Sequence, residues 1–204
     1  MAPRDPSIPD PDAELMRKIR RGDREAFATL VDKYKQPVIN FTARILNDSH
    51  EAEDIAQNVF IQVHKAADRY DVSARFSTWL FTIARNLCLN ELRRRSRHPA
   101  ESMDANLEAD EEHPARQIED ASVPSPPDAA MHGELKEKIQ SALATLPENQ
   151  RTALLLCQQN ELSYEEIAKV VGSSLSATKS LIFRARETLK QKLKPYLRTG
   201  EWKD

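Results

Sequence analysis

The sequence has few glycines and few aromatic residues, and no stretch in which apolar and polar residues alternate over many positions. Only 4 of its 204 residues are glycine and 6% are aromatic. Little material is therefore available for the strands and tight turns of a sheet. Apolar residues instead recur every three to four positions along most of the chain, which is the spacing of one helical face. The sequence predicts an all-α protein.

Cysteine and histidine are also sparse, which bears on metal and redox chemistry. The two cysteines, Cys88 and Cys157, lie inside apolar helical patterns and have no Cys or His at ligand spacing. The five histidines are scattered, and no nucleophile–base set or pair of carboxylates on one helical face stands out. We expect buried free thiols, no metal or other cofactor, and a protein that is not an enzyme.

Long apolar runs are missing as well. The chain contains no run of about 18 apolar residues, and its first residues, MAPRDPSIPDPD, lack the basic and apolar segments of a signal peptide. We expect a cytoplasmic protein that does not insert into a membrane.

The net charge of −2 conceals a division of the chain into four parts. Residues 1–12 carry −2, 13–98 carry +5, 99–130 carry −8 and 131–204 carry +3, and five of the twelve prolines fall within 99–130. That composition buries too little apolar surface to offset its ordering entropy. We therefore predict a disordered N-terminal extension (1–12) and two small helical domains (13–98 and 131–204), joined by a flexible acidic linker (99–130).

The clearest local pattern is SYEEIAKVVGSSLSATKSLIFRAR, residues 163–186. Ser163 and Glu166 have the spacing of a capping box, and Gly172 is suited to end the first helix in a left-handed conformation. Ser173 or Ser174 then caps a second helix at once. Two helices joined by so tight a turn predict a DNA-binding helix-turn-helix, and an ordinary helical hairpin is the alternative.

The remaining helices are predicted from periodicity and cap residues. The first should run from Ala13 to Arg21. Asp23 should open the second, which Pro37 should kink or interrupt, and Asp48 or Ser49 should cap the third. Ser77 is placed to cap the fourth helix. The C-terminal domain should begin with a helix near Ala129, in which Ile139 belongs to the apolar face.

Several motifs in a fixed order carry a family resemblance over nearly all of residues 13–195. They are GDREAFATLVDKY (22–34), HEAEDIAQNVFIQVHKA (50–66), FSTWLFTIARNLCLNELRRR (76–95), LATLPENQRTALLL (143–156), LSYEEIAKVVG (162–172) and KSLIFRARETL (179–189). The chain resembles the extracytoplasmic function (ECF) sigma factors of bacterial RNA polymerase.

This resemblance implies a promoter-specificity subunit that binds core RNA polymerase and promotes DNA melting, often in a stress response. The N-terminal domain would read the −10 promoter element and the C-terminal domain the −35 element. The implied partners are the β′ clamp helices and β flap of the polymerase, promoter DNA, and an anti-sigma factor.

The resemblance also assigns residues to these roles. Those implied for the −10 region are Trp79, Arg85, Asn86, Asn90, Arg93 and Arg94, and those for the −35 region are Ser176, Lys179, Ser180, Phe183, Arg184 and Arg186. The core-polymerase surface would comprise Glu51, Asp54, Gln57 and Asn58. From the residues alone, this last group reads as a solvated helix face and Trp79 as a core residue. The chain departs from the family at Thr178, where an apolar residue is usual, and at Leu181, where a basic one is usual.

A stand-alone helix-turn-helix regulator is the alternative function. It would need a sensing domain in residues 13–98, but that part has no receiver-like strand pattern and no glycine-rich phosphate loop. The two readings differ in whether core RNA polymerase is a partner.

Overall fold

The computed structural model describes residues 10–71, 74–97, 126–159 and 162–199. Within these ranges the backbone forms eight α-helices, a short 3₁₀ turn (Ala67–Arg69) and no strand, which confirms the all-α fold class. The helices are α1 (Pro11–Ile19), α2 (Arg24–Leu46), α3 (Ser49–Lys65), α4 (Phe76–Arg97), α5 (Pro126–Ala144), α6 (Glu148–Gln158), α7 (Tyr164–Val171) and α8 (Leu175–Thr199).

Helices α1–α4 form an N-terminal lobe, in which α2 packs against the other three helices. Its core contains the fully buried aromatic side chains of Tyr34, Phe41, Phe76 and Phe81. The Tyr34 and Phe76 rings lie 5.2 Å apart, and the Phe41 and Phe81 rings lie 5.4 Å apart. These pairs join α2 to α4 in the tilted and edge-on geometries that aromatic rings favour.

The N-terminal caps of α2 and α3 follow the sequence signals. The Asp23 carboxylate accepts hydrogen bonds from the Glu25 and Ala26 amides, each at 3.0 Å, and Asp48 accepts one from the Glu51 amide at 3.1 Å. Each carboxylate therefore satisfies amides that have no partner within the helix.

Three local predictions for this lobe are corrected. Helix α1 begins at Pro11, two residues before Ala13, because proline suits a first helical position. Of the two outcomes predicted at Pro37, an interruption does not occur: helix α2 is continuous through this residue, since the buried Tyr34 and Val38 hold both flanking turns against the core. Ser77 does not cap α4: it is buried within that helix.

Asp10 caps both α1 and α4. One carboxylate oxygen accepts a hydrogen bond from the Asp12 amide at 3.2 Å, at the start of α1, and the other accepts one from the Phe76 amide at 2.9 Å, at the start of α4. The next acidic residue, Asp12, is buried and is bound by Lys33 Nζ at 2.6 Å and by the Tyr34 hydroxyl at 2.6 Å. Residues 10–12, predicted as part of the extension, thus belong to the N-terminal lobe.

Asp10→Ala is expected to destabilise the protein by about 2 kcal/mol, because two helices lose a cap worth about 1 kcal/mol each. Asp23→Ala is the matched control, since Asp23 caps only α2, and it should cost about half as much. Urea denaturation measures both variants. Equal losses would show that the bond from Asp10 to α4 contributes nothing to stability.

Helices α5–α8 form a C-terminal lobe, in which α8 packs against α5, α6 and α7. Its core residues are Leu143, Leu146, Leu155, Leu156, Ile167 and Ile182. Helix α5 begins at Pro126, within the range predicted as linker, and the side chain of Ile139 is 37% exposed instead of buried. Residues 1–9 of the predicted extension and 99–125 of the predicted linker lie outside the described residues.

The two lobes are in contact. Helix α7 packs against α4, while α5 and α6 pack against α2. The buried apolar side chains of both lobes belong to one contiguous cluster.

Candidate nucleic-acid interface

Helix α4 presents one polar stripe to solvent. Asn86, Asn90, Arg93 and Arg97 are exposed and follow each other at intervals of three or four residues, which places them on one face. The buried side of the same helix contains Leu80, Ala84 and Cys88. Amides can offer donors and acceptors to base edges, and arginines attract phosphates, so this stripe suits an opened DNA strand.

The basic end of the stripe forms a shallow recess lined by Asn90, Arg93, Arg94 and Arg97. Part of the Arg94 guanidinium is engaged in an intramolecular hydrogen bond, because its Nε donates to Glu91 at 2.8 Å. The structure therefore brings together three of the predicted −10 residues (Asn90, Arg93 and Arg94) and adds Arg97.

Glu91 organises the arginines beside this recess. It is buried, and its carboxylate accepts hydrogen bonds from Arg94 and, at 2.9 Å, from Arg95, whose other end reaches Asp48 at 2.9 Å. Hydrogen bonding by Arg94 and then Arg95 lowers the pKa of Glu91 despite the burial of its carboxylate. The charged end of α4 is thus tied to the start of α3, and the position of Arg94 is restricted.

Two predicted −10 residues lie off the stripe. The Trp79 ring is half-buried and packs on Tyr70 and Phe76, with centroids 5.2 and 6.2 Å away, which favours its interpretation as a core residue. Arg85 has a side chain only 14% exposed and is bound to Glu148 and Asn149 of the C-terminal lobe. In this arrangement Arg85 does not face solvent with Asn86.

The helix-turn-helix is formed by α7 and α8, and its local signals are all present. Ser163 and Glu166 complete the capping box, with bonds of 3.3 Å and 2.6 Å between side chains and amides. Gly172 ends α7 with φ of 72°, a left-handed conformation that glycine adopts without strain. The Ser174 hydroxyl then accepts a bond from the Ala177 amide at 3.2 Å, which identifies the cap of α8.

The two departures in this motif have structural explanations. Thr178 is fully buried, and its hydroxyl lies 2.7 Å from that of Ser173 in the turn. The polar atom at an apolar position therefore has a partner and incurs no full desolvation penalty. Leu181 is partly buried against the core, so a residue at this position does not point to solvent.

All six residues predicted for the −35 region are exposed on α8: Ser176, Lys179, Ser180, Phe183, Arg184 and Arg186. Phe183 is 66% exposed, and such an apolar side chain on a basic helix is suited to a base methyl group or sugar. Arg186 also approaches Cys157, with Nη2 3.4 Å from the sulfur. The remaining residues share the exposed side of α8.

Helix α3 carries the third predicted surface. Asp54, Gln57 and Asn58 are exposed and Glu51 is half-exposed. Sequence reasoning missed Ile61, which is 47% exposed and lies three residues after Asn58. Its helical spacing was the available signal, because it continues the face of the polar residues.

Free thiols and clusters of metal-ligating side chains are the remaining candidates for a reactive site. Both cysteines are free; burial raises the pKa of the Cys88 thiol to about 12, so that this group stays protonated and inert near neutral pH. Within the described ranges, no group of three or more His, Cys, Asp or Glu side chains is placed to hold a metal ion. None of the described helices combines the length and apolar character needed to span a bilayer.

Comparison with known proteins gives two family matches. The Sigma-70 region 2 model matches residues 30–98 and the Sigma-70 region 4 model matches residues 136–189. The first range contains α3 and α4 with their exposed surfaces, and the second contains the helix-turn-helix.

Similar individual proteins cover almost the whole chain. It is 37% identical to the RNA polymerase sigma-H factor of Pseudomonas aeruginosa over 92% of this chain and 96% of the relative. It is 35% identical to the ECF RNA polymerase sigma factor SigW of Bacillus subtilis over 88% and 95%. The fold is similar to that of the sigma factor RpoE in its complex with the anti-sigma factor NepR from Bartonella quintana, with a TM-score of 0.62, 24% identity and coverage of 82% and 96%.

Proposed function

The chain belongs to the ECF sigma factor family and is a promoter-specificity subunit of bacterial RNA polymerase, and we propose how its surfaces divide that work. The N-terminal lobe binds core polymerase through α3 and captures the opened −10 strand on α4. The C-terminal lobe inserts α8 into the major groove at the −35 element. The observation that carries this assignment is that three separate exposed surfaces lie within the two matched regions.

The proposed domain limits are 13–98 for the region that binds core polymerase and the −10 element, and 131–204 for the −35 region. Residues 10–12 are added to the first, since Asp10 caps two of its helices and Asp12 is buried there. The protein acts as a subunit with no catalytic role of its own, in the cytoplasm beside the polymerase. An anti-sigma factor is a further proposed partner, by analogy with the RpoE–NepR complex.

The stand-alone regulator is the less well supported function. The match to region 2 covers α3 and α4, and a regulator that does not bind polymerase has no need of these two helices. Co-elution with purified core RNA polymerase in gel filtration tests the difference: a sigma subunit co-elutes and a stand-alone regulator does not.

Ile61→Ala should weaken binding to core polymerase about threefold to tenfold, because an exposed apolar side chain on a polar face is typical of an interface anchor. Ile139→Ala is the matched control, since Ile139 is an exposed isoleucine on the C-terminal lobe, and it should change the affinity less than twofold. Fluorescence anisotropy with labelled protein measures both. Equal effects of the two substitutions would show that α3 does not contact core polymerase.

A further inference from the structure

The contact between the lobes includes an arginine assigned to promoter DNA. Arg85 Nη2 lies 3.0 Å from Glu148 Oε1 and 2.9 Å from Asn149 Oδ1, both at the start of α6. The side chains of Arg85 and Glu148 are 14% and 32% exposed. A second ion pair joins Arg75, which precedes α4, to Glu166 of the capping box, at 3.3 Å. Two carboxylates of the C-terminal lobe thus bind basic groups beside or on the DNA-reading helix.

This compact arrangement is too small to bind a whole promoter. The −10 and −35 elements are separated by about 25 base pairs, which is roughly 80–90 Å of B-DNA. The longest helix here, α8, has 25 residues and spans only about 38 Å. Lobes that touch through α4 and α7 therefore cannot read both elements at once, and the contact must open before the protein is fully engaged.

We propose that Glu148 and Asn149 form a latch that holds Arg85 in the free protein and competes with DNA for it. The inference rests on the proposed function, because it takes α4 as the helix that binds the opened strand. In the closed state the guanidinium donates to Glu148 and Asn149, and in the promoter complex the same donors bind a phosphate or a base. The latch thereby couples separation of the lobes to completion of the −10 surface.

The bonding of Arg85 indicates that the latch is reversible. Among the described residues, its Nε is a buried donor that has no hydrogen-bond partner. An unsatisfied buried donor destabilises the closed state, and the exposure of Glu148 to solvent screens the ion pair. DNA that offers acceptors to the whole guanidinium can therefore displace the two acceptors on α6.

Glu148→Gln tests the latch without changing side-chain volume. The probe is a fluorescein-labelled single-stranded DNA of random sequence, about 12 nucleotides long, titrated with the free full-length protein. We expect the variant to bind about twofold to fivefold more tightly, the range that a partly exposed ion pair supports. Glu165→Gln is the matched control, because Glu165 is exposed on α7 and loses the same charge, and it should change the affinity less than twofold.

The DNA affinities of Glu148→Gln and Glu165→Gln are measured again in a protein that also carries Arg85→Ala. This comparison distinguishes release of Arg85 from a general effect of losing a negative charge. The gain from Glu148→Gln should disappear there. A gain that persists without Arg85, an equal gain in Glu165→Gln, or no gain at all would each overturn the proposal. If Glu148→Gln does not fold, Arg75→Gln opens the other ion pair and should show the same dependence on Arg85.

A transcription assay with core polymerase distinguishes a failure of the latch from a failure of the proposed function. If the unaltered protein supports promoter-specific transcription while Glu148→Gln shows no gain in DNA binding, the latch is wrong and the sigma function stands. If the unaltered protein gives no transcript, the function is wrong.

Discussion

Asn86→Ala is expected to abolish most transcription from a duplex promoter, with a loss of about tenfold to hundredfold. Pulling a base out of its stack costs a few kcal/mol, and that cost is recovered only if the base finds hydrogen-bond partners in the protein. Asn86 is exposed on α4, on the same stripe as Asn90 and Arg93. Its amide can donate and accept hydrogen bonds. Each tenfold loss of transcription corresponds to about 1.4 kcal/mol of lost binding free energy.

The position of Asn86 argues against a capping role. A capping side chain lies at a helix end, whereas Asn86 is more than two turns inside α4, which begins at Phe76. Its substitution should therefore leave the thermal midpoint and the affinity for core polymerase unchanged. Asn40→Ala, at an exposed amide on α2, is the matched control and should retain full transcription.

A promoter template that is already mismatched across the −10 element decides whether Asn86 acts in strand opening. Transcription by the Asn86→Ala variant should recover on this template, because the cost of opening has been removed in advance. A variant that remains inactive on the mismatched template, or that is grossly unstable, would exclude Asn86 as the base-capturing residue.

Alanine at Lys179 or Arg184 is expected to weaken −35 recognition, in one of two distinguishable ways. Loss of a phosphate contact should weaken binding to all sequences evenly and reduce the slope of log K against log salt by about one. Loss of a base contact should cost about 1–3 kcal/mol and relax the preference at one base pair. Both side chains are exposed on α8.

Lys190→Ala is the matched control for these two variants. Lys190 is 73% exposed on the same helix, about 9 Å further along its axis than Arg184, and pairs with Glu187. Its loss should leave transcription from a −35-dependent promoter unchanged. If Lys179→Ala and Arg184→Ala are as active as Lys190→Ala, α8 does not have the role assigned to it.

The features that the sequence predicts well are those decided within one helical turn. The capping box of Ser163 and Glu166, the left-handed Gly172 and the caps at Asp23 and Asp48 involve neighbours in the chain. Their geometry depends on local side-chain chemistry, so the sequence alone identifies them. The exposed face of α8 follows equally from its apolar spacing.

The features that the sequence does not predict are contacts between distant residues. The bond from Asp10 to the start of α4 spans 66 positions, and the bond from Arg85 to Glu148 spans 63. No local pattern marks either partner. The family resemblance places Arg85 with the other arginines of α4, although tertiary packing turns it toward α6.

Burial also separates residues that look alike in the sequence. Ile139 belongs to a helical apolar pattern, yet it is exposed like Ile61, which lies on the polar face of α3. Arg94 and Arg93 are adjacent, but only Arg94 is bound to the buried Glu91. Among the predicted −10 residues, Asn86, Asn90 and Arg93 are the exposed members that combine polar chemistry with a shared helical face.

Transcription of fragmented genomic DNA from the source bacterium by purified core RNA polymerase tests the central claim most directly. The 5′ ends of the transcripts are sequenced with and without the protein. A sigma subunit should produce discrete start sites that are absent with core polymerase alone and that share two upstream elements near −10 and −35. A distribution of 5′ ends identical to that of core polymerase alone would contradict the account.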